Sequence, residues 1–302
     1  SRRPATSALS PPWPLWVSYI TCPSFFRMSE NSPFRSKSWT FSLATSGSVG
    51  TRAIAATDSY QRTIKADSPS LYWTSAYTGT STTSNAGSWV IDSAANTTNT
   101  LARNGLGMMG LTPNSEGITT ADTSGSFTFD GVDDYIWNDQ LSEGTSTYTL
   151  ETWIKTTTTR GGKIIGFGNA QQGQSGSYDR HVYMLDDGRL VFGVWTGQTN
   201  TIETAARFND GDWHHVVATQ SATGMRLYVD GELQGTNPQG EAQPYDGYWR
   251  VGGDSRWAGS SDYFRGVIDE VAVYPTALTQ DTILAQYTAS GRTSTVPEAP
   301  AD

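Results

Sequence analysis

The stretch 208–236, FNDGDWHHVVATQSATGMRLYVDGELQGT, decides the fold class. In its first half Trp213, His215, Val217 and Thr219 share one face, with His214, Val216 and Ala218 on the other. In its second half Met225, Leu227 and Val229 point one way, and Arg226 and Tyr228 the other. A period of two marks strands half buried in a sheet. Asp230-Gly231 supplies the positive φ angles of a tight hairpin, so the chain from Glu232 onward folds straight back. The stretch therefore reads as consecutive antiparallel strands.

Working outward, Asp-Gly pairs recur at 130–131, 187–188, 210–211 and 246–247, each beside a run rich in β-branched or aromatic residues. Strands are expected at Ser126–Phe129, Tyr148–Lys155, Lys163–Phe167, His181–Leu185 and Leu190–Trp195, then at Trp213–Thr219, Met225–Val229, Tyr248–Val251 and Val267–Tyr274. Many short strands with turns between them predict an all-β sandwich or barrel. One helix is expected, after Pro275. Thr279 can cap it, Asp281 favours its first turn, and Leu278 with Ile283 has the spacing of a hydrophobic staple.

The chain has 302 residues, only 16% of them charged, and a formal charge of −9. Low charge with abundant Thr, Ser and Gly suits an extracellular β-protein. The negative charge disfavours nucleic acid or an anionic membrane surface as a partner. No run of eighteen apolar residues exists, so membrane insertion is not expected. A single cysteine, Cys22, excludes an internal disulfide framework and a multi-cysteine metal site.

Residues 1–57 are rich in Pro, Ser, Arg and Trp without sustained periodicity, apart from a candidate strand across Ser38–Leu43. They read as an irregular linker or the remnant of a preceding domain. Residues 58–291 read as the ordered unit, and 292–302 as a Pro/Ala-rich linker. The chain starts at Ser1, and both ends read as cut from a longer chain with neighbouring domains. Arg2-Arg3 before Leu9–Ile20 has the outline of a signal sequence, but Pro11, Pro12 and Pro14 interrupt it.

Seven segments in one order carry a family resemblance: YQRTIKADSPSLYW (60–73), FTFDGVDDYI (127–136), YTLETWIKT (148–156), DGDWHHVVAT (210–219), MRLYVDGELQGT (225–236), YWRVGGDS (248–255) and FRGVIDEVAVYPTALTQDTILAQY (264–287). Together they resemble the laminin-G-like jelly-roll domains of the concanavalin A-like lectin/glucanase superfamily, as found in secreted bacterial and phage tail or surface proteins. The resemblance implies a two-sheet antiparallel β-sandwich (jelly roll) with one short C-terminal helix, whose first and last strands lie side by side. It also implies secretion or a cell-surface location, binding of glycans or surface proteins, and often a calcium ion. A virion location is the alternative. The fold alone does not fix a ligand.

A calcium site wants six to eight oxygens. Asp130, Asp133 and Asp134 crowd one turn, and Asp269 sits in the terminal strand that the resemblance places nearby. Asp92 matches an aspartate of a family loop, although Ala94-Ala95 replace the usual Gly-Asn repeats. The acidic residue expected soon after Tyr72-Trp73 is also missing.

For ligand contact, the loops offer Tyr245, Tyr248, Trp257, Asp254 and Arg256 in 240–263, and Tyr178 and Arg180 in 171–180. Flat aromatic faces with planar polar groups on loops over a rigid sheet suit sugars or protein hot spots. With 11 Trp and 14 Tyr most aromatics must fill the core, and Trp153, Trp195 and Trp213 read as core or sheet-face residues.

Glucanases of this superfamily use closely spaced carboxylates on one strand. Here Glu151 is followed by Trp153 and Lys155, while Asp269-Glu270 and His214-His215 each point to opposite faces. The expectation is a non-catalytic extracellular binding or adhesion module. A structural spacer of a phage tail or surface fibre, and a glycan-active hydrolase, are the alternatives.

Overall fold

A computed structural model describes residues 60–80, 88–92, 105–107, 111–114, 116–119 and 125–296. The chain divides into units Ser1–Thr45 and Ser46–Asp302, and every described residue belongs to the second. The segment 1–57, with its candidate strand, lies outside the described residues.

The first eight strands are β1 (Leu71–Thr80), β2 (Ser88–Asp92), β3 (Gly105–Gly107), β4 (Thr112–Asn114), β5 (Ser126–Asp130), β6 (Ile136–Asn138), β7 (Tyr148–Lys155) and β8 (Gly162–Gly168). The rest are β9 (Tyr178–Met184), β10 (Leu190–Trp195), β11 (Thr199–Glu203), β12 (Trp213–Ser221), β13 (Gly224–Val229), β14 (Glu232–Asn237), β15 (Tyr248–Val251) and β16 (Arg265–Tyr274). Two helices flank them in sequence, α1 at residues 60–66 and α2 at Gln280–Ala289.

The hydrogen-bonded strands run β11-β10-β9-β8-β15-β6 in one layer and β1-β16-β7-β12-β13-β14 in the other, with β3 and β2 carrying the ladder between them. At the far edge the layers meet where Asn237 Nδ2 of β14 donates to Thr201 O of β11 at 3.2 Å. The first and last strands pair as expected, with Leu71 opposite Val273. Asp230 and Gly231 take φ angles of 53° and 79°, the turn that β13–β14 requires.

Alternation fills the space between the layers. Tyr148, Leu150 and Ile154 of β7, Val216 and Ala218 of β12, and Met225, Leu227 and Val229 of β13 face Phe167, Val182, Met184, Phe192 and Val251 across one apolar core. Burying each large side chain contributes roughly 1.5–3 kcal/mol.

The opposite face of β7, β12 and β16 is buried too, because both helices lie on it. Tyr60 and Ile64 of α1 and Tyr287 of α2 cluster with Tyr72, Trp153 and Tyr274, while Ile283 meets Val217 and Tyr228. In α2, Thr279 Oγ1 accepts from Thr282 N at 3.2 Å, the expected cap.

The segment 60–73, the first of the seven that carry the resemblance, is not strand throughout. Tyr60 and Ile64, four residues apart, share one face of a helical turn that packs on Trp153. The helix stops where Ser68 turns to φ 58°, before Pro69, and the strand begins only at Leu71. The sandwich therefore carries two short helices.

Candidate functional site

No helix covers the outer face of the β8–β9–β10 layer among the described residues. Val182 and Met184 of β9 turn into the core, so His181 and Tyr183 face out. Phe192 and Val194 of β10 do the same, leaving Gly193 and Trp195 on the outer side. The Cα atoms of His181 and Gly193 are directly paired.

Trp257, from the loop between β15 and β16, lies across this face. Its ring centroid is 4.5 Å from His181 at 68° and 6.3 Å from Trp195. Gly193 creates the room: a Cβ there would come within 2.5 Å of Trp257 Cζ3 and 3.0 Å of His181 Nε2. Trp257, Trp195 and Tyr178 are each half-buried. His181 lies fully buried beneath them, 6.1 Å from Tyr178 and 5.0 Å from Tyr183. Neither imidazole nitrogen has a hydrogen-bond partner. Burial, with Lys163 nearby, pushes its pKa far below the ordinary histidine range, so the ring is neutral.

Loop clamps hold the aromatic group in place. Arg256 donates to the carbonyls of Ser261 and Ala258 and lies 3.6 Å from Asp262, while Ser260 N donates to Asp186 at 2.8 Å. Deeper, Lys163, Arg250 and Asp254 are all buried. Asp254 accepts from Ser175 N and Ser255 N at 2.8 Å each and pairs with Lys163 at 3.4 Å. Burial opposes the Asp254 charge, but Lys163, Arg250 and these amides outweigh it and hold its pKa below the usual carboxylate value. Burial lowers the pKa of Lys163 against the pull of Asp254. Arg250 Nη1 donates to Ala170 O and Gly173 O at 3.0 and 2.7 Å, fixing the 169–177 loop, and its guanidinium covers the Tyr135 ring at 4.2 Å.

Two further residues singled out in the sequence, Arg180 and Tyr245, meet at Asp179 in a neighbouring clasp. Arg180 is buried, pairs with Asp179 at 2.6 Å and donates to Thr145 O at 2.8 Å. The single proton of the Tyr245 hydroxyl is shared between Asp179 at 2.9 Å and Phe167 O at 3.1 Å. Tyr248 opens β15, half-buried, opposite Gly168.

Of the seven ligand candidates, the structure brings Trp257 and Tyr178 together on one face. Asp254, Arg256, Arg180 and Tyr245 spend their polar groups on internal bonds and act as positioning residues. Trp195 and His181 belong beside Trp257. The signal for that lay in LVFGVW, where an interior strand glycine marks a close approach on the face it shares with Trp195.

The carboxylates fall into two groups. Asp130, Asp133 and Asp134 place one oxygen each within 4.8 Å of one another. Asp134 is buried, with Oδ2 accepting from Asp130 N at 2.8 Å and Oδ1 without a hydrogen-bond partner. Burial, with Asp130 and Asp133 adding repulsion, raises its pKa to about 6. An all-oxygen set with one unpaired oxygen fits a hard divalent cation.

Asp269 lies apart from this turn. Asp130 is opposite Arg265, four residues back along β16, or ~13 Å at the rise of a strand. Asp269 is buried at a register shift in the β7 pairing, where Glu270 takes φ 51° and its N–H donates to Asp269 Oδ1 at 2.8 Å. Asp92 ends β2 opposite Trp73, and its side chain lies outside the described ones.

Glu151 is fully buried and saturated: it accepts from Tyr60 at 3.0 Å and Tyr274 at 2.5 Å, and lies 2.8 Å from His215 Nε2. Glu270 accepts from Tyr72 and from Gln61, the latter at 3.1 Å. The adjacent histidines diverge as expected, His214 lying 2.8 Å from Asp230 and 3.1 Å from Asp210.

The laminin G profile of the concanavalin A-like lectin/glucanases superfamily matches residues 129–284, just over half of the chain. Among solved structures, the binding domain of Paraclostridial Mosquitocidal Protein 1 is similar at TM-score 0.53 and 14% identity, over 74% of this chain and 52% of that one. The Botulinum Neurotoxin Type G receptor binding domain is similar at TM-score 0.50 and 13% identity, over 73% and 51%. The chain spans about half the length of these structures, and the likeness at such identities is one of fold. No curated protein matches the sequence.

Proposed function

We propose that this chain, which belongs to the concanavalin A-like lectin/glucanases superfamily, is a non-catalytic binding module that recognises a glycan or a surface protein outside the cell or at its surface. The observation that carries this reading is the half-exposed Trp257–Trp195–Tyr178 face, laid over a strand glycine and fixed by loop clamps. Aromatic rings held rigidly, part apolar and part wet, are what sugar faces and protein hot spots dock on. His181 supports it: a buried imidazole with two unsatisfied nitrogens is costly, by about 1–3 kcal/mol per group. A ligand hydroxyl reaching past Trp257 would relieve that cost.

Recognition rather than bond cleavage is favoured because Glu151, Asp269 and Glu270 are buried beneath the helices or inside the sheet. Hydrolysis of a glycoside needs two carboxyl groups flanking an accessible bond. The two similar structures are themselves described as binding domains, which agrees with this reading. A calcium ion on Asp130, Asp133 and Asp134 would brace the β5–β6 turn.

The test is a glycan and surface-protein array probed with the whole chain and with Trp257→Ala. The expected outcome is a signal that falls at least tenfold in the variant while its circular dichroism spectrum is unchanged. Retention of the signal in Trp257→Ala would remove this face from the reading. Release of reducing sugar from a polysaccharide panel would overturn the non-catalytic assignment. Self-assembly of fixed stoichiometry without any ligand would favour the fibre-spacer alternative.

A further inference from the structure

A cavity of ≈ 650 Å³ opens at the rim of the sandwich, between the β7–β8 loop, the end of β5 and the start of β16. The loop is Thr156-Thr157-Thr158-Thr159-Arg160, and it alternates in and out. Thr156 and Thr158 are buried and hold the loop: Thr156 Oγ1 donates to Arg265 O at 2.5 Å and accepts from Thr158 N at 2.9 Å. Thr157, Thr159 and Arg160 are exposed and line the opening. Arg265, also exposed, supplies the facing wall.

Charge here runs against the rest of the molecule. The chain carries −9 overall, yet this cavity is lined by Arg160, Arg265 and Lys155 against one carboxylate, Asp130. Lys155 is engaged by Glu116. Oδ1 of Asp130 accepts from Val132 N at 2.7 Å. Among the ion pairs of the described residues, neither Arg160 nor Arg265 finds a partner. A guanidinium with free donors pairs best with a planar or tetrahedral oxyanion, and hydroxyls beside it suit sugar hydroxyls.

We propose that this rim cavity is a second binding site, separate from the Trp257 face, which takes the carboxylate or sulfate group of an acidic saccharide. The inference rests on the module being a glycan binder. Arg160 and Arg265 grip the oxyanion, and Thr157 and Thr159 meet the hydroxyls of the ring that bears it. The volume falls in the range of small-ligand sites and suits a mono- or disaccharide.

Calorimetric titration of the full chain with lactose, 3′-sialyllactose and 3′-sulfolactose tests it. The expected result is at least tenfold tighter binding of one or both acidic sugars than of lactose, weakening as salt rises. The sialylated and sulfated arms tell carboxylate from sulfate. Arg160→Ala/Arg265→Ala should lose that preference, and Arg207→Ala/Arg226→Ala, which removes the same two charges outside the cavity lining, should keep it. Equal binding of lactose and both acidic sugars, or an Arg160→Ala/Arg265→Ala variant that keeps the preference, overturns the site. Should that variant fail to fold, Arg160→Ala alone and the salt series on the unaltered chain decide by the same criteria. A Trp257-dependent array signal without acidic preference sinks this inference and leaves the proposed function standing. Absence of any array signal sinks the function instead.

Discussion

Gly193 sets the height of Trp257 above the sheet, so the binding face can be tested without removing an aromatic ring. Gly193→Ala would place a Cβ 2.5 Å from Trp257 Cζ3, far inside contact distance, and the indole must lift or slide. The expected outcome is a loss of ligand affinity of roughly tenfold, with the stability cost kept near that of a modest overpacking, about 1–3 kcal/mol. Calorimetry and urea melts on the same variant check both. Unchanged affinity would separate Trp257 from recognition. A second residue-scale prediction concerns His214, which bridges two turns through Asp230 and Asp210. Burial opposes its charge, but the bonds and fields of Asp230 and Asp210 outweigh it and raise its pKa above 6.5. The stability this bridge contributes is therefore complete below pH 6.5 and fades as pH climbs through the raised value. The expected midpoint of thermal unfolding declines from pH 6 to pH 8.5 in the native chain and is flatter in His214→Gln. Equal slopes would show that the bridge carries no charge.

Among the elements, the helix-covered face turns on Glu151. Its two oxygens receive Tyr60 and Tyr274, and Tyr60 in turn accepts from Trp153 Nε1 at 2.8 Å. Tyr60→Phe leaves a buried carboxylate short of a donor and an indole N–H short of an acceptor, at an expected cost of about 1–3 kcal/mol in denaturant unfolding. No measurable change would mean that α1 does not stay on the sheet in solution. The β5–β6 turn carries the calcium prediction. Asp134, with a pKa of about 6, must lose its proton before it can hold a cation. The difference in melting midpoint between calcium and EDTA should thus be large at pH 7.5 and shrink below pH 6. Identical curves at pH 7.5 would remove the ion.

Dense runs of β-branched and aromatic residues made β7, β10 and β15 legible to their end residues. The edge strand β11, TNTIE, was not, because Ile202 is its single large apolar residue and the rest alternate polar side chains between solvent and a neighbour. The helical turn at 60–66 was hidden in a resemblance. Its own evidence, Tyr60 and Ile64 at a spacing of four, mattered only once Trp153 stood opposite. Trp257 was visible as an aromatic in a polar loop. The burial of Arg180, Asp254 and Lys163 was not, since a charged residue becomes internal only when partners distant in sequence complete its bonds.

At the scale of the whole molecule, the two ends of the sandwich depend on each other. β1 pairs with β16 some two hundred residues later, Leu71 opposite Val273. Gln286 of α2 donates to Asp67, just past α1, at 2.9 Å. Such long-range closure makes the fold one cooperative unit and slows its formation. The ordered unit proposed for residues 58–291 can then be tested by trimming. A fragment of residues 58–296 keeps α1, β1 and α2 and is expected to melt within 2–4 °C of the full chain, the shift about 1 kcal/mol produces in a domain of this size. A fragment of residues 70–296 keeps every strand but loses α1, exposing Trp153 and stripping Glu151 of Tyr60. Its midpoint should fall well beyond that range, because apolar burial and a buried hydrogen-bond network are lost together. Equal melting of the two fragments would show that the helix is an ornament on a sandwich that closes without it. A collapse of the longer fragment would show that residues before 58 belong to the folded unit.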